Sequence, residues 1–183
     1  MKRVIIMRKF IFFLLAGIVS QLVYSQSEQE AINKDVWLNF MQAYENKDAS
    51  LFNQIHTNDV LRVSPDRNIM HIGQDYKDRN LATFNRWNER KIKQKIEFSF
   101  LSRTQKSDWA YEVGIFKLTR YGGGQSQIYY GKFNVTLKKA DSLWKIYIDS
   151  DTNENGTIGE ADFLKGEMLK YSKRGGVDSS NVP

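Results

Sequence analysis

The spacing of the hydrophobic residues divides the chain into two halves. Between about residues 27 and 91, apolar side chains recur at every third or fourth position, which is typical of amphipathic helices. Between about residues 92 and 149 they alternate with polar side chains in four long segments, which is typical of strands with one buried face. Helices followed by antiparallel strands predict an α+β fold, with the helices packed on one face of a strongly curved sheet that encloses a pocket.

Three helices and a short pair of strands are predicted in the first half. They are helices over residues 27–46, 48–55 and 74–91, with strands over residues 60–64 and 69–72 between the second and third helices. Asp48 has a side chain that suits a helix N-cap, and residues 65–68 are rich in turn formers. The apolar face of the third helix is expected to consist of Tyr76, Leu81, Phe84 and Trp87.

Four long strands follow. In the second of them the apolar residues change face next to Gly114, which predicts a β-bulge there. Residues 122–124 are three glycines and predict a hairpin turn. A strand follows them instead of a helix, so a phosphate-binding loop is not expected. In the last strand Trp144, Ile146 and Ile148 are expected to share one face.

Residues 1–25 have the composition of a secretory signal peptide. Four basic residues open the segment, Phe10 to Val19 form an apolar core, and Val23 and Ser25 suit a cleavage site before Gln26. The apolar run is shorter than a membrane span requires. We therefore expect a cleaved leader and an exported protein, periplasmic or extracellular, with no membrane attachment after cleavage.

The leader also carries much of the positive charge. The whole chain has 27 basic and 21 acidic residues and a net charge of +6. Four of the basic residues and none of the acidic ones lie in residues 1–25, which leaves 23 basic and 21 acidic residues and a net charge of +2. After residue 25, no run of basic residues is long enough to follow a phosphate backbone, so nucleic acid is not an expected partner. The absence of cysteine excludes disulfides and cysteine nucleophiles.

Several short segments stand at characteristic places in this order of elements. They are Asn46-Lys47-Asp48 between the first helices, Val63-Ser64-Pro65-Asp66 before the helix start at Gly73, and Leu143-Trp144-Lys145-Ile146 in the last strand. Together they make residues 28–150 resemble the nuclear-transport-factor-2-like superfamily, and within it the SnoaL-like branch. The resemblance implies a cone whose mouth opens between sheet and helices, and a homodimer formed through the sheet. The superfamily includes isomerases, cyclases, dehydratases and non-catalytic binding domains, so the fold does not determine function.

The resemblance also allows a check of catalytic positions. Ketosteroid isomerases of this superfamily use a carboxylate base, a tyrosine and a protonated aspartate. These positions correspond here to Ser64, Phe40 and Gly131. Serine is not a base of suitable pKa, and phenylalanine and glycine have no side-chain donor. An isomerase of that type is therefore not expected.

His71 and Asp66 are the remaining candidates for catalysis. The histidine precedes the third helix near the expected mouth of the cone, and a histidine–aspartate pair can exchange protons. The alternative is a turn aspartate and a histidine at a strand end, while His56 is interpreted as a cation at a helix end. Side chains that we expect to line the cone, or otherwise to form plain core, are Trp37, Phe40, Tyr44, Ser64, Tyr76, Trp87 and Tyr129.

Residues 151–162 match the spacing of a calcium-binding loop. The oxygen ligands would come from Asp151, Asn153, Asn155, Thr157 and Asp162. A helix from Phe163 to Tyr171 would follow the loop, and the tail over residues 172–183 is expected to be disordered. The alternative is a turn at Asn155-Gly156 followed by a capping box of Thr157 and Glu160.

These observations combine into three hypotheses. In the first, the domain over residues 26–150 binds a small apolar molecule or a protein partner in its cone, without catalysis and without a cofactor. In the second, an enzyme of the isomerase, dehydratase or cyclase type uses His71 and Asp66. In the third, the segment over residues 151–171 binds calcium and stabilises a surface module.

Overall fold

The computed structural model describes residues 27–122 and 125–169. The leader predicted over residues 1–25, the tail predicted over residues 172–183 and most of the glycine turn lie outside these residues. Four helices are described, namely α1 (27–46), α2 (Ala49–Gln54), α3 (Gly73–Glu89) and α4 (Glu160–Phe163). Seven strands are described, namely β1 (His56–Ser64), β2 (Ile69–Ile72), β3 (Lys93–Lys106), β4 (Trp109–Gly122), β5 (Gln125–Ala140), β6 (Leu143–Thr152) and β7 (Glu167–Met168).

Local sequence explains how the helices begin and end. Helix α1 contains a π-helical turn over Asn33–Trp37, and the last two residues of that turn are buried against the sheet. The helix ends where Lys47 adopts a left-handed conformation. The side chain of Asp48 then accepts a hydrogen bond of 2.9 Å from the backbone N–H of Leu51, which confirms the predicted N-cap of α2.

All seven strands form one sheet in the order β2-β1-β6-β5-β4-β3-β7. The predicted α+β architecture, with helices on one face of a curved sheet, is confirmed. The sheet is antiparallel except that β1 and β6 are parallel. The sequence did not indicate this pair, because β1 enters the sheet after a helix and no hairpin joins it to β6.

Bulges set which side chains face the helices. The bulge predicted at Gly114 lies on the neighbouring strand, where Leu101 is the extra residue between Phe100, opposite Gly114, and Ser102, opposite Val113. Gly114 is needed for another reason, since a Cβ atom there would lie 2.2 Å from the carbonyl oxygen of Ser99.

A second bulge corrects the predicted face of β6. Ile146 pairs with Leu137, but Ile148 pairs with Thr136, so Tyr147 is an extra residue. The bulge turns Ile148 to the outer face of the sheet and Asp149 to the inner face, contrary to the prediction that Trp144, Ile146 and Ile148 share a face.

The core lies between the inner face of the sheet and helices α1 to α3. The indole of Trp37 is at its centre, with ring centroids 4.7 Å from Phe98, 5.1 Å from Phe100 and 5.0 Å from Phe133. On α3 the prediction was wrong for Leu81, which is 50% exposed. Asn80 is buried instead, because it lies four residues after Tyr76 and four before Phe84 on the same helical face.

The chain after β6 crosses the outer face of the sheet. Phe163 is buried there against the Tyr130 ring, 6.4 Å away, and the N–H of Leu169 donates to the carbonyl of Phe98 on β3. The helix predicted from Phe163 to Tyr171 is therefore wrong, since α4 ends at Phe163 and β7 follows. A nine-residue helix is marginal by itself, whereas pairing with the free edge of β3 satisfies backbone groups.

Among the described helices, none is both long and apolar enough to cross a membrane.

Candidate ligand cavity and its polar end

A cavity of about 290 Å³ lies between the inner face of the sheet and helices α1 to α3. We call it the cone cavity. Most of its wall is apolar and includes Trp37, Phe40, Tyr44, Phe84, Trp87, Phe116 and Leu118. These side chains come from α1, α3 and β4, so elements distant in sequence build one aromatic chamber. Such a chamber favours an apolar guest.

A larger depression of about 740 Å³ lies beside the edge strand β3. It is open to solvent, and charged side chains such as Lys93, Lys95 and Glu97 line it. Charged residues on an edge strand are a common means of preventing pairing with other chains. The cone cavity is therefore the better candidate for a binding site.

The cone cavity has one polar end, formed by Arg62, Arg67, Tyr76, Asp149 and Asp151. The guanidinium of Arg62 lies between the two aspartates, 3.4 Å from Oδ1 of Asp149 and 2.7 Å from Oδ2 of Asp151. The Tyr76 hydroxyl donates to Oδ2 of Asp149 over 3.0 Å. Arg67 lies farther from Asp151, at 3.8 Å. The polar groups at this end largely satisfy one another.

These contacts shift the pKa values of the buried groups. Burial opposes the charge on Asp149, but Arg62, His56 and Tyr76 outweigh it, so the pKa of this carboxyl lies well below its ordinary range. Burial, together with the nearby Asp149, raises the pKa of the Tyr76 hydroxyl well above its ordinary value. At neutral pH the cavity therefore contains an ionised aspartate and a protonated tyrosine.

His56 lies directly behind the polar end. It is the first residue of β1 and is 1% exposed, with Nδ1 2.7 Å from the carbonyl oxygen of Phe52 in α2 and Nε2 3.7 Å from Oδ2 of Asp149. Because a carbonyl oxygen can only accept, Nδ1 carries a proton and donates it to this hydrogen bond. His56 was predicted at a helix end, and its ring does contact the last turn of α2, but the residue itself begins β1 and its ring is buried.

No family model matches the chain, and no curated protein matches it. Solved structures match over about two thirds of it. An NTF-2 like protein of unknown function from Shewanella oneidensis MR-1 is 16% identical with a TM-score of 0.55, over 68% of this chain and 98% of that one. A ketosteroid isomerase-like protein from Erwinia carotovora atroseptica is 17% identical with a TM-score of 0.51, over 67% and 93%. LinA is 16% identical with a TM-score of 0.55, over 69% and 86%.

The fold is nuclear-transport-factor-2-like. This confirms the cone-shaped fold class that the resemblance implied. Identities below 25% show the fold alone, and proteins with this fold include both enzymes and proteins of unknown function. What this chain does must therefore be argued from its own site.

Five of the seven side chains expected in the cone line the cone cavity: Trp37, Phe40, Tyr44, Tyr76 and Trp87. Ser64 lies beside it and donates to Oδ1 of Asp151 over 3.1 Å. Tyr129 lies at the rim, where its hydroxyl donates to Gln127 and its ring stands 5.6 Å from the Arg120 guanidinium. At the positions taken from ketosteroid isomerases, Phe40 packs among aromatic rings and Gly131 makes room for the Phe116 ring.

The structure does not pair His71 with Asp66. Nδ1 of His71 lies 2.8 Å from Oδ2 of Asp75 in the first turn of α3. The Asp66 carboxylate accepts hydrogen bonds from the Thr152 hydroxyl and the Asn153 N–H instead, which lowers the pKa of this exposed carboxyl. Each residue of the candidate pair thus has a structural partner.

The two aspartates expected to bind calcium have other partners. Asp151 faces the cone cavity and binds Arg62, whereas Asp162 accepts from the N–H of Gly159 and from Lys165. Asn155 and Gly156 adopt left-handed conformations, as the predicted turn requires, and Thr157 donates to Glu154. The predicted capping box of Thr157 and Glu160 is displaced, because Gly159 and Asp162 cap α4. Across residues 27–122 and 125–169, no three histidine, aspartate or glutamate side chains converge as metal ligands.

Arg62 and Asp149 are not among the site residues predicted from the sequence. The signal that could have found them is one charged residue in each of two predicted strands, which are β1 and β6 in the structure. Their pairing depends on the parallel contact between these strands, in which Arg62 lies opposite Asp149.

Proposed function

We propose that this chain is an exported binding domain that holds a small, largely apolar molecule in the cone cavity without transforming it. The observation that carries the proposal is the aromatic chamber of about 290 Å³ with one polar end, where Arg62, Tyr76, Asp149 and Asp151 bind one another. Ligand pockets typically combine an apolar wall with a few polar groups that orient the guest.

The state of the polar end supports binding over catalysis. A general base works best when its pKa lies near the operating pH, and the lowered pKa of Asp149 makes it a weak base. The Tyr76 hydroxyl already donates its hydrogen bond to that carboxylate. A guest would therefore meet an Asp149 carboxylate and a Tyr76 hydroxyl that are hydrogen-bonded to each other. Neither group has a pKa suited to exchanging a proton with the guest at neutral pH.

A neutral fluorescent guest tests this proposal. Phenylnaphthylamine is apolar, uncharged and brightly emissive only in apolar surroundings, so saturable emission would report an accessible chamber. Leu118→Trp fills the cavity from β4 and should abolish the saturable signal. Ile128→Trp is the matched control, because Ile128 is exposed on the outer face of the adjacent strand β5. Saturable binding that survives Leu118→Trp in a folded variant would contradict the proposal.

Export is proposed from the leader over residues 1–25. Expression of the full chain in a bacterium should yield a processed protein that begins at Gln26 and leaves the cytoplasm. Leu14→Arg should block processing by interrupting the apolar core. An intact N-terminus on the wild-type protein, recovered from the cytoplasm and measured by mass spectrometry, would refute this part.

We also propose that two copies of the chain form a homodimer through the outer face of the sheet, because apolar side chains remain exposed there. The chain after β6 covers one part of that face, but Met70, Ile72, Trp109 and Tyr111 remain exposed on the rest. Exposed apolar patches on a sheet often mark an interface. Light scattering should give twice the chain mass, and Trp109→Lys with Tyr111→Lys should give a monomer. A wild-type monomer at high concentration would refute it.

A further inference from the structure

A second hollow adjoins the mouth of the cone cavity. It has a volume of about 360 Å³ and lies between α3 and the β1–β2 hairpin. The two hollows share Arg62, Arg67, Tyr76, Asn80 and Thr83, so they are continuous. The side chains lining them include five arginines, at positions 62, 67, 79, 86 and 120, but only two acids, Asp149 and Asp151.

Two of the five arginines are neutralised locally. Arg62 binds both aspartates of the polar end. The Nε atom of Arg79 lies 3.0 Å from Oδ1 of Asp75, one turn away on α3. The positive charges of these two guanidinium groups are therefore largely compensated by neighbouring carboxylates.

Among the described residues, the other three arginines have no ion pair shorter than 3.8 Å. Arg67 is 64% exposed; its guanidinium lies 3.8 Å from Oδ1 of Asp151, and its Nε donates to the Ser64 hydroxyl over 3.3 Å. Arg86 donates to the Thr83 hydroxyl over 3.4 Å, and the described residues offer it no ion pair. Arg120 donates to Oε1 of Gln94 over 3.4 Å and stands 6.0 Å from the Trp87 ring. Positive charge therefore surrounds the mouth from the β1–β2 turn, from α3 and from β4.

We infer that the guest is an amphipathic anion, with an apolar body in the aromatic chamber and a carboxylate, sulfonate or phosphate at the mouth beside Arg67, Arg86 and Arg120. This inference rests on the proposed binding function and specifies its ligand class. Guanidinium groups bind such oxyanions through paired N–H donors, and a partly desolvated site strengthens the attraction. An apolar wall with an excess of cations at one end is more complementary to this kind of molecule than to a neutral or a cationic one.

Two dyes that differ only by one anionic group provide the test. Anilinonaphthalenesulfonate is phenylnaphthylamine with an added sulfonate, so the ratio of their dissociation constants isolates the contribution of the charge. We expect the sulfonate to bind about tenfold more tightly at low salt, as a charge-assisted hydrogen bond provides. Added salt should reduce that ratio, because screening weakens the ion pair and leaves the neutral dye unaffected.

Variants locate the effect. Arg67→Gln combined with Arg86→Gln should bring the ratio close to one, because both cations are removed from the mouth and the ratio itself corrects for any change in the binding of the neutral dye. Arg90→Gln is the matched control, since it removes one positive charge at the exposed end of α3 and lines none of these hollows. The tenfold ratio should persist in that variant.

The outcomes separate the two proposals. If neither dye binds saturably, the proposed binding function fails, and this inference fails with it. If both dyes bind with equal affinity, the binding function stands and the anion inference is overturned. A tenfold ratio that survives the double variant would also overturn the inference, because the sulfonate would then bind elsewhere.

Discussion

Two buried carboxylates on the inner face of the sheet invite comparison. Glu112 on β4 and Asp149 on β6 lie in one row across the strands, because each is paired in register with Val135 of β5. Each also lies opposite an arginine of the next strand, Arg103 for Glu112 and Arg62 for Asp149. The two sites thus begin from the same arrangement of charge on the same face.

The covering layer makes them different. Glu112 is 0% exposed beneath α1 and accepts hydrogen bonds from Gln29 at 2.8 Å, Trp37 at 2.5 Å and Arg103 at 3.0 Å. Asp149 lines the cone cavity, and its arginine is farther away, with Arg62 at 3.4 Å. A carboxylate sealed by a helix fastens that helix to the sheet. The same group beside a cavity determines what the cavity can hold.

The largest effect should follow from removing the sealed carboxylate. Glu112→Ala leaves Arg103 without its counter-ion and the Trp37 N–H without its acceptor, so we expect a loss of about 3 to 5 kcal/mol in the free energy of unfolding. Chemical denaturation measures the loss. A double variant, Glu112→Met with Arg103→Met, should recover most of it, because no unpaired charge remains. A loss below about 1 kcal/mol for Glu112→Ala would show that α1 is held mainly by its apolar face.

A smaller effect should follow at the open carboxylate. Asp149→Asn weakens the contact with Arg62, but Asp151 still neutralises that guanidinium, so we expect a loss of about 2 kcal/mol at neutral pH. The pKa of Asp149 is lowered by folding, so its contribution is present above the ordinary pKa of about 3.9 and is lost as the pH falls below that value.

Denaturation at several pH values checks the sign. The stability difference between wild type and Asp149→Asn should be constant near neutrality and shrink under acid conditions. A difference that grows on acidification would mean that the native state favours the protonated carboxyl, and the comparison with Glu112 would have to be abandoned.

The two sites were unequally accessible to sequence analysis. The alternation that predicted Phe98 and Trp144 as core is a local property, and it was sufficient for most helices and strands. The inward position of Asp149 depends on the extra residue Tyr147, and its partner Arg62 depends on a parallel contact between strands far apart in sequence. Neither leaves a periodic signal. The aromatic wall of the cavity was predictable for the same local reason as the core, but its polar end was not.

A finer probe of the open site removes one hydroxyl. Tyr76→Phe deletes the donor to Asp149 and should lower the free energy of unfolding by about 1 kcal/mol, because the carboxylate keeps its other partners. Tyr111→Phe is the matched control, since that hydroxyl donates to Asn134 on the exposed outer face, and it should have almost no effect. Equal losses in the two variants would show that the buried hydroxyl of Tyr76 contributes no more to the free energy of unfolding than the exposed hydroxyl of Tyr111.

The smallest effect is expected from calcium, and Asp151 connects it with the same comparison. A loop of the extracellular class, with a dissociation constant near millimolar, would stabilise the protein by about 1.4 kcal/mol at ten times that concentration. Asp151 can join such a loop only by leaving Arg62, which would leave this guanidinium dependent on Asp149. Asp162 would also have to leave the N–H of Gly159.

We therefore expect millimolar calcium to leave the melting temperature within about 1 °C of its value in chelator, since about 1 kcal/mol corresponds to a few degrees in a domain of this size. A larger rise that disappears in Asp162→Asn would establish the loop as a calcium site and would place Asp151 outside the polar end of the cavity.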